Sequence, residues 1–201
     1  MKTLAALNRI HGRVARPASI RWNVTKTLIQ SQSMWALFFF LIPAYLYHLE
    51  EGAGLKRYRF ASSRLRSASI ILFMLGWILA YTSAAFMVIH GEGTPLPADA
   101  TRKLVIAGPY RYIRNPMATG SFVQGFAVGF FVGSPLVTLY VLVGTVGWNY
   151  FVRPWEESDL EWRFGEEYAR YRDHVRCWIP NFHPYGPKQP LLRTQFIEAA
   201  A

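Results

Sequence analysis

The segment from Ala68 to Ile89 runs for 22 residues without an Asp, Glu, Lys or Arg side chain. At about 1.5 Å per residue, a helix of that length covers the roughly 30 Å of hydrocarbon in a bilayer. The segment therefore predicts a membrane-spanning helix, and the remaining chain has to fold around it.

Three further apolar segments accompany this helix. Ala118–Val132 and Leu136–Val152 are separated by only three residues, a turn that fits an antiparallel helical hairpin. Thr27–Tyr47 is interrupted by Gln30, Ser31, Gln32 and Ser33, so whether it spans stays open. The sequence predicts an all-α, polytopic membrane protein with about four transmembrane helices.

The charge pattern supports insertion in a bilayer and excludes nucleic acid as the preferred partner. The chain is 52% hydrophobic and 17% charged, and its net charge of +10 comes from basic residues that flank the apolar segments. With four spans, the N-terminus, the loop 91–117 and the C-terminal tail share one basic side, which predicts the cytoplasm. In a bacterium the membrane would be the inner one. The loop Leu49–Ser67, with five Lys or Arg residues, contradicts this count.

Two regions follow from this order of segments. Residues 1–67 hold the N-terminal basic segment, the first apolar helix and a loop, and residues 68–201 form the predicted catalytic membrane domain. Within the second region, 153–177 is expected to be a cytosolic amphipathic helix, bent at Gly165. One face of that helix carries apolar and aromatic side chains at spacings of four and three, namely Leu160, Phe164, Tyr168, Tyr171 and Val175.

Metal and nucleophile chemistry find no support in the sequence. The five His residues are scattered, and the single Cys177 cannot form a thiolate metal site alone. No metal is expected. The Gly125/Gly129 pair is expected to let two helix backbones pack closely within the chain.

Polar residues around the predicted loop have the chemistry that a zwitterionic sulfonium requires. Carboxylates suit its ammonium group, cationic donors suit its carboxylate, and aromatic faces suit its purine and sulfonium. Glu156 and Glu157 directly follow the last apolar segment, and Arg111 and Arg114 lie in the loop. Alternatively, the two glutamates are ordinary acids of a helix N-terminus, and the two arginines are headgroup anchors.

The runs LVIAGPYRYIRNPMATG and EESDLEWRFGEEYARYRDHVRCWIP, in this order, carry a family resemblance. They resemble the isoprenylcysteine carboxyl methyltransferase and phospholipid methyltransferase superfamily of integral membrane enzymes. The resemblance covers about Gly91–Pro180. It implies a cytosol-facing pocket for S-adenosylmethionine and a membrane lipid or lipid-like acceptor that enters from the bilayer.

By position, the resemblance also implies site residues. The cofactor-binding residues would be Arg102, Lys103, Leu104, Val105, Tyr110, Asn115, Pro116, Met117, Ala118 and Glu156. Arg153 would meet a carboxylate of the acceptor. Apart from the resemblance, the chemistry of methyl transfer to an amine requires a proton acceptor, for which Glu157 or a water is the candidate. Family members often have His-Pro-x-Tyr where this chain has Asn115–Ala118, which excludes an imidazole base at that position.

Two other functions remain open at this level. One is an NADPH-dependent membrane reductase of a sterol-like lipid, because some membrane reductases have a similar C-terminal half. The other is a non-catalytic membrane scaffold. The sequence leaves the methyl acceptor and the oligomeric state open.

Overall fold

The structure is a computed structural model that describes residues 14–95 and 99–186. Residues 1–13, 96–98 and 187–201, which belong to the predicted N-terminal basic segment, loop and tail, lie outside the described residues. Within the described ranges the regular elements are helices, and β-pairing is limited to two isolated bridges at Ala100. The all-α prediction is confirmed.

Five helices make up the part of the fold that the structure describes. They are α1 (Ile20–Gly52), α2 (Ser63–Gly91), α3 (Pro116–Val132), α4 (Pro135–Gly147) and α5 (Arg153–His174). A π-helical turn lies inside α1 at Ala36–Leu41, and another, Trp148–Val152, joins α4 to α5 without a break. Short 3₁₀ turns occur at Leu55–Tyr58 and Gly108–Arg111.

Three of these helical stretches are long and apolar enough to cross a membrane: α1, α2 and the continuous stretch Pro135–His174. In the last of these, the charged side chains begin at Arg153, so its membrane-spanning part is Pro135–Val152. Helix α3 is apolar but shorter, with 17 residues. The polytopic prediction with its C-terminal hairpin is confirmed.

The extent of α1 makes the first apolar segment a candidate span. Helix α1 has 33 residues and is longer than the predicted apolar stretch. Two side chains of its polar run have hydrogen-bond partners, whereas the Gln30 Oε1 atom is buried without one among the described residues. Gln32 donates a hydrogen bond to the Tyr81 hydroxyl at 2.8 Å, and the Ser33 hydroxyl donates to the Ile29 carbonyl at 2.9 Å. These hydrogen bonds allow a polar run to remain helical in an apolar surrounding.

The helices alternate in direction between two ends of the bundle. At the end that carries the loop 91–117, the loop end, Lys26 of α1 pairs with Asp99, and the Ala15 amide donates to the Ala100 carbonyl. At the opposite end, the turn end, the Phe60 amide donates to the Gly133 carbonyl at 3.1 Å. The N-terminal side of α1, the loop and α5 therefore share one end, as the sequence predicts for four spans.

A buried carboxylate joins α1 to the hairpin turn. Glu50 is 1% exposed, and its Oε1 accepts hydrogen bonds from the Ser134 hydroxyl and the Leu136 amide, both at 2.7 Å. The Nε atom of Arg59 lies 3.3 Å from the other carboxylate oxygen. Glu50 thus satisfies an amide at the start of α4 that has no partner within the helix. The sequence analysis did not anticipate this role.

Glycines set the closest helix contacts. A Cβ atom at Gly76 of α2 would lie 2.6 Å from the Gly120 carbonyl oxygen of α3. Gly125 and Gly129 face α4, where added Cβ atoms would lie 3.0 Å from Val141 and 2.8 Å from Thr138. The Gly125/Gly129 pair packs within the chain, as expected.

Candidate functional site

The loop between α2 and α3 owes its course to Gly108. Its φ of +52° lies in the left-handed region, and a Cβ atom there would meet the Phe86 ring at 2.5 Å. The backbone can therefore approach α2 closely and turn into the 3₁₀ segment Gly108–Arg111. This turn buries Tyr110, which is 4% exposed and packs with Val105 and Ala107.

Asn115 fixes the start of α3. Its side-chain oxygen accepts a hydrogen bond from the Ala118 amide at 3.4 Å, and Pro116 occupies the first helical turn, where it needs no amide donor. The helix therefore begins two residues before the predicted Ala118. The Asn115 side chain also hydrogen-bonds the Glu156 carboxylate of α5, which links the two sequence motifs directly.

Glu156 has an unusual ionisation equilibrium. Loss of water around the carboxylate raises the pKa of Glu156 from 4.5 to about 7, although the hydrogen bond from Asn115 opposes the shift. The negative charges of Glu157 and Asp159 add to the rise. A carboxylate in this state gains by binding a cation that restores its ionised form.

The Tyr110 hydroxyl lies in the same electrostatic neighbourhood. Burial raises the pKa of Tyr110 far above its ordinary value, and the charge of Glu156 raises it further. The hydroxyl is buried without a hydrogen-bond partner among the described residues. Such a group is costly unless a ligand supplies the partner. Tyr110, Asn115 and Glu156, which are far apart in sequence, thus come together at the loop end.

Arg114 cross-links the loop to α5 and the segment after it. Its Nη1 lies 2.7 Å from the Glu157 carboxylate, and its Nε donates to the Val175 carbonyl at 2.6 Å. Its own amide donates to the Arg176 carbonyl at 2.9 Å. These contacts make Arg114 a structural residue of the loop and not a headgroup anchor. Glu157 lies beside Glu156 but is held by Arg114.

Helix α5 ends at His174, three residues before the predicted end. Val175 adopts an extended backbone, with φ of −113° and ψ of 122°, so that the carbonyls of Arg176 and Cys177 can receive the amides of Arg114 and Asn115. The predicted bend is present at Gly165, which has a φ of +50°. The predicted apolar face is also present as a cluster of Tyr168, Tyr171 and Val175 with Leu160, Phe164 and Leu104.

This cluster positions the Tyr110 turn. The Tyr171 hydroxyl donates a hydrogen bond to the Tyr110 carbonyl at 2.6 Å. Leu104 packs on the cluster, and Val105 packs against Tyr110, so both predicted residues lie close to the site.

Arg102 and Lys103 are placed differently. Both side chains are exposed and pair with Glu92 at the end of α2, with 3.6 Å between Arg102 Nη1 and the carboxylate. Their segment is tied to α5 through Arg163, whose Nη1 donates to the Thr101 carbonyl at 2.6 Å. The backbone of this segment is therefore attached to α5, while the side chains of Arg102 and Lys103 pair with Glu92.

Two cavities flank α3. One, of about 90 Å³, is enclosed by α1, α2 and α3, and Met117 lines it together with Gln30, Trp35 and Tyr81. The other is an open groove of about 520 Å³ between α3 and the Pro135–Val152 stretch. The two cavities lie on opposite sides of α3, so the Met117 side chain lies on the face of α3 that is turned away from the groove.

The groove has aromatic walls and a polar end. Its walls carry the rings of Phe122, Phe126 and Tyr150, and its polar end carries Asn149, which accepts a hydrogen bond from the Trp178 indole at 2.9 Å. Arg153 follows Asn149 by four residues. The Arg153 side chain hydrogen-bonds the Cys177 thiol, and its Nε is buried without a partner among the described residues.

Several residues that shape this site were not predicted from the sequence. Phe86 supports the Tyr110 turn, and Asn149 and Trp178 form the polar end of the groove. Tyr171, which the aromatic spacing of α5 did mark, holds the Tyr110 carbonyl. Phe86 and Asn149 lie inside apolar segments, where their sequence neighbours give no sign of a site.

The chain matches the family model described as phospholipid methyltransferase over residues 65–167. This range includes α2, α3, α4 and the first part of α5, and therefore Tyr110, Asn115 and Glu156. Helix α1 lies outside it.

Named relatives support the same assignment. A probable protein-S-isoprenylcysteine O-methyltransferase from Oryza sativa subsp. indica is 30% identical over 170 residues, covering 80% of this chain and 83% of that protein. The methanethiol S-methyltransferase of Mycobacterium tuberculosis is 27% identical over 154 residues, covering 69% of this chain and 54% of that protein.

The solved structure of a eukaryotic intramembrane Ras methyltransferase, an isoprenylcysteine carboxyl methyltransferase, resembles this chain with a TM-score of 0.48 and 22% sequence identity. The match covers 81% of this chain and 55% of that one. The family match over half of the chain, the similarity to the rice protein and the apolar helices together establish the class: this chain belongs to the phospholipid methyltransferase family and is a membrane methyltransferase.

Proposed function

We propose that this protein transfers a methyl group from S-adenosylmethionine to a lipid-like or amphiphilic acceptor at the cytoplasmic face of the membrane. The single observation that carries this proposal is the meeting of Tyr110, Asn115 and Glu156 at the loop end. When bound, S-adenosylmethionine supplies a sulfonium methyl group that is already activated toward a nucleophile. The protein has to bind both reactants, align them and exclude water.

The residues at the loop end fit the donor's polar groups. The Glu156 carboxylate would pair with the donor's ammonium group, and the Asn115 side chain would hold the Glu156 carboxylate in place. The buried Tyr110 hydroxyl, which lacks a partner among the described residues, would hydrogen-bond the same ligand. Leu104 and Val105 would line the pocket, whereas Arg102 and Lys103 would contribute mainly through their backbone.

Calorimetric titration of the purified full-length protein tests the donor. S-adenosylhomocysteine, the demethylated product, is expected to bind and to stabilise the protein against heat, and NADPH is not. Binding of NADPH with no response to S-adenosylhomocysteine would contradict the proposal.

The ionisation of Glu156 predicts a pH-dependent donor affinity. Because the ammonium group pairs only with the ionised carboxylate, and the pKa of Glu156 is about 7, the Kd for S-adenosylhomocysteine should be about tenfold weaker at pH 6 than at pH 8. Calorimetry at both values measures this ratio. In Glu156→Gln the ratio should fall to about 1.

The raised pKa of Glu156 also affects the stability of the ligand-free protein, and this stability should fall over the pH interval in which donor affinity rises. A carboxyl pKa raised from 4.5 to about 7 in the folded state favours the protonated form, so its contribution to stability is largest below pH 4.5 and is lost as the pH rises through 7. Donor binding should offset this loss, so that the donor-induced rise in Tm grows with pH over the same interval.

The acceptor would use the groove between α3 and the Pro135–Val152 stretch. Its aromatic walls suit an apolar chain from the bilayer, and its polar end leads towards Arg153. The Nε of Arg153, which lacks a partner among the described residues, would donate a hydrogen bond to the acceptor's polar group. A carboxylate acceptor would need no further base.

An amine or thiol acceptor must also lose a proton. Glu157 is the proposed proton acceptor for an amine, and this role requires its ion pair with Arg114 to open, because the carboxylate oxygen is engaged at 2.7 Å. A thiol would have to react as its thiolate. The relatives' names include both an isoprenylcysteine oxygen and the sulfur of methanethiol, so we keep these acceptor classes in the proposal.

The acceptor itself can be identified by labelling. Cells that carry or lack the protein would be fed methionine with a labelled methyl group, and their lipids and thiols extracted. A labelled compound found only with the protein names the acceptor, and the absence of any labelled compound would contradict methyl transfer to an amphiphile.

Removing the Arg153 side chain should weaken binding of the acceptor and leave binding of the methyl donor unchanged. With the acceptor identified in this way, Arg153→Ala is expected to raise its KM by roughly 10-fold to 100-fold, the cost of a lost charge-assisted hydrogen bond, and to leave the Kd of S-adenosylhomocysteine unchanged. Arg170→Ala, on the exposed side of α5, is the matched control and should change neither. An unchanged KM in Arg153→Ala would remove Arg153 from the site.

A further inference from the structure

The turn end carries a cluster of basic side chains that the methyl-transfer site does not use. The turn-end basic loop, as we name it, consists of Lys56 and Arg57 in the 3₁₀ turn after α1 and of Arg64 and Arg66 in the first turn of α2. All four side chains are exposed. Because α1 runs the length of the bundle, this loop lies at the membrane face opposite to Tyr110 and Glu156.

The acidic residues of the same region are already engaged by a fifth cation. Arg59 lies 3.3 Å from both the Glu50 and the Glu51 carboxylates, and only 12% of its side chain is exposed. Its guanidinium also lies 3.5 Å from the centroid of the Tyr47 ring. Glu50 is buried against the hairpin turn. These carboxylates therefore leave the basic loop without compensation.

The four exposed cations make no ion pair with any residue in the described part of the chain, although the Arg57 guanidinium lies 4.9 Å from the centroid of the Tyr58 ring. Apolar side chains accompany them: Leu55, Tyr58 and Phe60 are 39%, 56% and 42% exposed. Cationic and apolar side chains are thus mixed in the loop that joins two apolar helices. This mixture is typical of the membrane interface, where cations contact headgroups and apolar groups contact hydrocarbon.

We propose that the turn-end basic loop binds anionic phospholipid headgroups and thereby anchors the bundle at the membrane face opposite to the methyl-transfer site. A Lys or Arg near an anionic lipid surface is attracted to it electrostatically, and a zwitterionic surface offers no comparable attraction. Such lipids would compensate the positive charge that the protein leaves at this end. These lipids would also neutralise the basic residues of the turn end, whose presence contradicts the assignment of the opposite end to the cytoplasm by the count of basic residues.

The experiment uses the full-length protein in a neutral detergent with added phosphatidylglycerol or phosphatidylcholine. Phosphatidylglycerol is expected to raise the Tm and to remain bound in native mass spectra, whereas phosphatidylcholine should do neither. The quadruple variant K56Q/R57Q/R64Q/R66Q should lose more than half of the wild-type rise in Tm and most of the bound lipid. Soluble glycerol phosphate at equal concentration should not reproduce the effect, because it lacks the acyl chains that the apolar side chains contact.

A second quadruple variant keeps the change in net charge but moves it to the loop end. R16Q/R21Q/R170Q/R176Q removes four exposed cations there and is expected to retain most of the lipid response. Equal losses in the two variants would mean a response to net charge alone and would overturn the proposal, as would an unchanged response in K56Q/R57Q/R64Q/R66Q. The charge-retaining variant R57K/R64K/R66K should respond as the wild type does, and its failure would also contradict an electrostatic site.

Discussion

Glu156→Gln is expected to weaken binding of S-adenosylhomocysteine by at least about 30-fold at pH 8. The change removes the negative charge that we propose to pair with the donor's ammonium group, and loss of one partner of a desolvated charge pair costs about 2 kcal/mol or more. The fold should not suffer, because burial already disfavours the ionised carboxylate and raises the pKa of Glu156 to about 7. Calorimetric titration measures the Kd, and Tm without ligand reports the fold.

Glu166→Gln provides the control on the same helix. Its carboxylate is 94% exposed and pairs only loosely with Arg170 at 3.6 Å, so its removal should leave donor affinity unchanged. Wild-type affinity in Glu156→Gln would remove Glu156 from the donor site. Equal losses in the two variants would show that a general charge effect on α5, instead of a specific pair, governs binding.

Gly120→Ala is expected to destabilise the protein by about 2 to 3 kcal/mol and to lower its Tm by roughly 4–10 °C. An added Cβ would lie 2.6 Å from the Gly76 carbonyl oxygen and 2.9 Å from the Ala80 amide nitrogen. Both are backbone atoms of α2, so the helices have to separate. Since α2 carries Phe86 and α3 starts at Asn115, donor affinity should fall as well.

Gly144→Ala is the matched control for this prediction. It makes the same chemical change within α4, where an added Cβ would have no neighbour within 4 Å. Thermal unfolding should show a Tm equal to that of the wild type or slightly higher, because alanine favours the helix more than glycine does. Similar Tm values for Gly120→Ala and Gly144→Ala would show that the close contact of α2 with α3 does not limit stability.

Periodicity and turn chemistry were enough to predict the elements. A charge-free stretch such as Ala68–Ile89 has one stable form in a bilayer, because unpaired backbone groups there are costly and a helix satisfies them internally. The three-residue connection before Leu136 leaves only an antiparallel hairpin. Helix ends were less well predicted, since the start at Pro116 depends on the Asn115 cap and the end at His174 on hydrogen bonds from Arg114 and Asn115.

The meeting of residues that lie in the two motifs was expected, whereas other contacts between residues remote in the chain were not. Tyr110, Asn115 and Glu156 lie in two motifs, and their resemblance to a family gave the expectation that they meet. Glu50 was overlooked as a buried cap of α4, because its partners Ser134 and Leu136 are more than 80 residues away in sequence. Arg102 and Lys103 lie in the expected segment, but their side chains pair with Glu92.

The sequence by itself determined a helical membrane protein with this order of helices and the two motifs that resemble the family, since apolar length and local motifs are properties of neighbouring residues. The tertiary structure decided which charges pair, which carboxylate loses its water and where α1 ends. These outcomes depend on distances between residues remote in the chain, and so does the energy of a buried charge.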